Sequence, residues 1–136
     1  MVIYVISYLV TVFVFVCLDA LWLNFTGDPL YRAALGGILR DVYDPIVAAI
    51  FYVLYAAGIT IFAVAPAFDS GRWSTACFRA GLFGFFAYAT YDLTNQATLK
   101  NWSTGLTLAD LGWGVALTAL SATFGFLIAS KFRITI

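Results

Sequence analysis

The sequence predicts an all-α protein, a bundle of four transmembrane helices, and three observations carry that prediction. Of its 136 residues 63% are hydrophobic and only 10% are charged, against roughly half and a quarter in soluble domains. Its mean hydropathy is +0.96. Its apolar residues fall into four runs, each near the ~20 residues that a bilayer-crossing helix needs. Water is the wrong solvent for such a chain, and lipid is the right one.

Residues 1–18 carry no charged side chain, and Trp22 follows as an interfacial anchor. With no basic segment ahead of it and no small-x-small cleavage site behind, this run reads as a retained helix rather than a secretory signal. A second uncharged run covers 45–68 and opens with Asp44-Pro45, an N-cap followed by proline at the first helical position. The third run, 80–99, lies between Arg79 and Lys100, and the fourth, from about 106, closes at Lys131 and Arg133. Helices are therefore expected at about 2–23, 45–67, 77–99 and 106–131, within one domain over 1–136. The first link is long and begins Gly27-Asp28-Pro29; a short interfacial helix over 29–35, stopped by Gly36-Gly37, and an extended loop both suit it. Four spans put both termini on one side. Arg72, Arg79, Lys131 and Arg133 on that side, against Arg32, Arg40 and Lys100 on the other, lean towards cytoplasmic termini.

Composition also excludes chemistry. Zero net charge argues against nucleic acid as a partner. There is no histidine, and all seven acids are aspartate. Histidine-ligated zinc or haem and histidine-box di-iron sites are thus beyond this chain alone, and no metal site or cofactor is expected. Cys17 and Cys77 have no partner motif and read as packing residues.

Three aspartates lie in or beside the spans. Asp19 fits the headgroup boundary and Asp110 the first turn of the fourth helix, where the dipole favours a carboxylate. Asp92 has no such exit, because Arg79 and Lys100 leave too few residues for a span without it. At 1.5 Å per residue it sits roughly 10 Å inside the Lys100 end, and a buried aspartate costs on the order of 3 kcal/mol. It should face the bundle. Helical periodicity agrees: Gly81, Gly84, Tyr88, Asp92 and Asn95 share one face, and Asp110, Gly114, Thr118, Ser121 and Gly125 another. Tyr8, Val12, Phe15, Asp19 and Trp22 align on the first helix, and Asp44, Ala48, Tyr52, Tyr55 and Ile59 on the second. Connectivity then gathers Asp19, Asp44, Asp92 and Asp110 at one end of the bundle. The candidate cluster is these four with Trp22, Tyr88, Tyr91, Thr94, Asn95, Thr98, Lys100 and Trp113. The repeated Asp-x-x-Trp of Asp19/Trp22 and Asp110/Trp113 is expected to set an indole beside each carboxylate.

The segments LDALWLN, YATYDLTNQATLKNW and LTLADLGWGVALTAL resemble a family of small predicted membrane proteins of the bacterial inner membrane, domain of unknown function 2177. The resemblance implies a four-span protein of this length and carries no catalytic residue with it.

The cluster admits several functions. As packing glue it would make the protein an accessory or assembly subunit of a larger membrane complex, or a homodimer. As a pocket it would hold a lipid or small molecule. With two carboxylates of split acidity it would serve an enzyme acting on a lipid or isoprenoid, although no DDxxD motif or nucleophile elbow is present. With Asp19 as carrier it would suit a dimeric proton-coupled transporter, although the site is far from the midplane that alternating access uses.

Overall fold

The structure, a computed structural model, describes residues 1–133, so the last three residues of the expected domain lie outside the described ones. Four helices form a bundle: α1 (Val2–Leu35), α2 (Pro45–Ser70), α3 (Trp73–Thr98) and α4 (Thr104–Ser130). By length and apolarity α1, α2 and α4 can each cross a membrane. α3 has 26 residues and is as long, but Arg79, Asp92, Asn95 and Gln96 make it less apolar.

α2 starts where its cap predicts. The Asp44 carboxylate accepts the backbone N–H of Ile46 and of Val47, at 3.0 and 3.2 Å, with Pro45 in the first turn. α3 begins at Trp73 rather than 77. Gly71, at φ +67°, reverses the chain after α2, and an extended Arg72 lets the next helix start at once. Ser103 caps α4, its Oγ accepting the Leu106 N–H at 3.1 Å.

α1 departs furthest from expectation. It does not stop near residue 23, because Gly27 keeps helical angles (φ −52°, ψ −54°). Pro29 has no N–H to give, yet the helix absorbs it in a wider π turn over Gly27–Arg32, where the Ala33 N–H reaches back to the Asp28 carbonyl. The short helix expected at 29–35 is thus the last stretch of α1, and the link shrinks to residues 36–44. α2 uses the same device: a π turn over Thr60–Val64 precedes Pro66, and the Ala65 N–H donates to the Thr60 carbonyl.

α4 is the central helix, packed along both α3 and α1. Its buried stripe holds Gly114, Thr118, Ser121, Ala122 and Gly125. Backbones come close there: a Cβ on Gly84 would stand 2.3 Å from the Gly114 carbonyl oxygen, and one on Gly125 2.2 Å from Thr11 Oγ1. Between helices in lipid, small residues give tight van der Waals contact without a hydrophobic driving force. On α1 the buried residues are Ser7, Thr11, Phe15 and Asp19, one step round from the expected Tyr8 and Val12. α2 leans outward. Its first half packs on α1 and its second half, from the π turn onwards, on α3. A cleft is left between the start of α2 and the end of α3.

Candidate functional site

The end of the bundle where α1 and α3 finish and α2 and α4 begin holds the carboxylates. Asp92 is fully buried, and Asp19 and Asp110 nearly so. Each occupies the bundle side of its helix, as a charge in an apolar solvent requires.

Asp19 is served from two other helices. Tyr52 of α2 donates its hydroxyl at 2.7 Å, and the Trp113 indole of α4 donates at 3.4 Å. Asp110 is served by the end of α1, where Tyr31 donates to its Oδ1, and the Trp22 indole donates in turn to the Tyr31 hydroxyl at 2.9 Å. Trp22 and Trp113 stack, their ring centroids 4.5 Å apart and planes 7° from parallel. The two Asp-x-x-Trp pairs therefore act crosswise. Trp113 bonds the aspartate of the other helix, and Trp22 reaches Asp110 through a tyrosine.

Tyr31 is placed by packing. Leu35, Trp102 and Leu106 form a small buried cluster, with Leu30, Tyr31 and Ala34 against it. Trp102 is pinned by its indole N–H to Thr107 Oγ1 at 2.9 Å, and Thr107 donates to Gln96 at 2.7 Å. The α3–α4 turn thus clamps the end of α1 over the site.

Asp92 is the exception. Among the described residues neither of its oxygens meets an N–H or hydroxyl donor, and Asp110 is its neighbouring carboxyl. Among the described residues no cation enters the cluster. The ion pairs are Arg32–Asp28 at 3.1 Å and Arg40–Asp44 at 3.5 Å, both in the 28–44 region at its edge. Among the described residues, no three metal-ligating side chains converge.

Two cavities flank the first half of α2. One, of about 1090 Å³, lies between the end of α1 and the start of α2, with Tyr31, Arg32, Arg40, Asp41, Asp44 and Phe51 in its lining. The other, of about 370 Å³, is the cleft towards α3, walled by Phe51, Tyr55, Ala87, Tyr88 and Tyr91. They share Phe51 as a wall. Tyr55 shares a hydrogen bond with Thr118 at 3.0 Å, and Tyr88 lies on the backbone of Gly114, so both tyrosines show the cleft their rings.

A family model described as Predicted membrane protein (DUF2177) matches residues 4–127. The chain belongs to that family. No curated protein and no solved structure matches it.

In this DUF2177 protein the expected site residues divide. Asp19, Trp22, Asp92, Asp110 and Trp113 come together, and Tyr88 and Tyr91 line the adjoining cleft. Asp44 stands apart as the α2 cap and the Arg40 partner. Thr94 and Thr98 are exposed and bond carbonyls of their own helix, Asn95 is half-buried, and Lys100 is exposed in the α3–α4 turn. Cys17 faces outward and Cys77 is half-buried, both as free thiols. The candidate cluster omitted Tyr31, Tyr52 and Gln96. Tyr52 lies on the aligned face of α2, which is signal enough; Tyr31 follows Gly27-Asp28-Pro29, a pattern that signals a break rather than a continuing helix.

Proposed function

We propose that this is a multi-pass membrane protein that binds an amphipathic molecule of the lipid class at its acid-bearing end. The observation that carries the proposal is the pair of cavities that share Phe51 as a wall, one with a charged rim and the other an aromatic cleft. Apolar pockets with a few polar groups at one end are the common form of a small-molecule site. The basic residues favour termini in the cytoplasm, four against three, which sets this end on the far side.

Filling the cleft tests it. Wild-type protein purified in mild detergent is expected to retain a lipid-like molecule detectable by native mass spectrometry. Ala87→Trp, which places an indole in the cleft, is expected to lose it while keeping its helical content. A wild type that carries no more lipid than Ala87→Trp would sink the proposal.

The accessory-subunit reading is second, and one observation favours it: Asp19 and Asp110 find their donors within the chain, as a purely structural cluster would. A partner protein recovered stoichiometrically from native membranes, with no lipid in the cleft, would decide for it. A proton-coupled transporter has less support, since among the described residues the buried polar groups in the other half of the bundle are hydroxyls.

A further inference from the structure

We infer that the cleft takes a zwitterionic phospholipid whose headgroup carries a primary amine. This rests on the reading above and adds the headgroup to it. The rim has three carboxylates, Asp28, Asp41 and Asp44, and two guanidiniums, Arg32 and Arg40. Arg32 and Arg40 are each paired with an aspartate four residues away in the chain, in solvent-accessible bridges. Such bridges are worth little and exchange readily for another anion. Asp41 is exposed and forms no ion pair among the described residues.

That arrangement discriminates between headgroups. A purely anionic head would bind the arginines but leave Asp41, and the displaced Asp28 or Asp44, as uncompensated like charges beside it. A purely cationic head would satisfy Asp41 and offer the arginines nothing. A head with a phosphate and an ammonium serves both: the phosphate takes the planar fork of Arg32 or Arg40, and the ammonium donates N–H bonds to Asp41. A quaternary ammonium has no N–H for that carboxylate. Phe51 lines the rim cavity and the neighbouring cleft alike, and the cleft's other walls, Tyr55, Ala87, Tyr88 and Tyr91, suit an acyl chain.

Vesicles with equal parts of phosphatidylethanolamine, phosphatidylcholine and phosphatidylglycerol supply the test. Protein reconstituted in them, extracted and analysed by native mass spectrometry, is expected to carry phosphatidylethanolamine at several-fold enrichment. Asp41→Asn, an exposed and near-isosteric change, is expected to abolish the enrichment. Bound lipid without headgroup preference, or enriched in phosphatidylglycerol or phosphatidylcholine, would overturn the headgroup inference and leave the cleft reading standing. Enrichment that survives Asp41→Asn would overturn the role of Asp41 and the inference with it. No bound lipid at all would overturn both.

Discussion

The two ends of this bundle bury polar atoms in opposite ways. At the end that holds the chain's N-terminus, Ser7 and Ser121 turn their hydroxyls back to carbonyls of their own helices, at 2.9 and 2.8 Å. At the other end Asp19 and Asp110 draw donors from neighbouring helices, through Tyr52, Trp113 and Tyr31. The chemistry of the side chain explains the split. A hydroxyl donates and accepts, so a helix can satisfy it alone. An ionised carboxylate only accepts, and within a helix the backbone N–H donors are already bonded to carbonyls. It must reach outside. One end is therefore held by how closely backbones approach, and the other by which groups can donate to which.

Size should matter wherever two helices touch, and Gly125 at the plain end tests it. A Cβ on Gly125 would meet Thr11 Oγ1 at 2.2 Å and the Ser7 carbonyl at 3.0 Å, whereas Gly112, on the exposed face of the same helix, has open space. Gly125→Val is expected to cost about 3 kcal/mol, the upper part of the range for overpacked cores. Gly112→Val should cost well under that, close to the propensity change alone. Thermal unfolding in one detergent compares them, and equal melting of the two variants would break the contrast.

Chemical identity should matter most at the acidic end. Asp92→Leu puts a larger side chain into a fully enclosed position, for an expected loss of about 2 kcal/mol. Asp92→Asn keeps the shape, and its amide can donate to Asp110, so it should stay within about 1 kcal/mol of the wild type. Asp69→Leu, at an exposed position near the end of α2, serves as the control and should be tolerated. If Asp92→Leu and Asp69→Leu express and melt alike, Asp92 has no buried role.

What could be read in the sequence follows the same division. The helices were legible because lipid imposes a length and a composition on any span, and Asp92 was legible because Arg79 and Lys100 left it nowhere else to be. The stripe of α4, from Asp110 to Gly125, was read correctly, since small and polar residues mark contact faces when apolar ones cannot. α1 shows the limit of that rule. Tyr8 and Val12 stood out on the face that Phe15 and Asp19 share, yet Ser7 and Thr11 are the buried pair. Both can approach Gly125, and a tyrosine cannot. Tyr31 was lost for a different reason. Proline after a glycine signals a stop in water, while a helix already packed on its neighbours absorbs proline in a π turn and continues.

The smallest expected effect is the sharpest check on the comparison. Ser121 is fully buried in the plain half of α4, one turn from Gly125, and by burial alone its loss should rank with that of a cluster residue. Its hydroxyl, however, bonds the Leu117 carbonyl of its own helix, which keeps its backbone N–H partner whether or not the hydroxyl is there. Removing it strands no donor or acceptor on another helix, and intramembrane side-chain bonds average only about 0.6 kcal/mol. Ser121→Ala is expected to shift stability by less than about 0.5 kcal/mol, in either direction, since alanine is also the better helix former. A loss comparable to that of Asp92→Leu in the same unfolding assay would mean that the plain end, too, depends on hydrogen bonds between helices, and that closeness of backbones does not suffice to hold it.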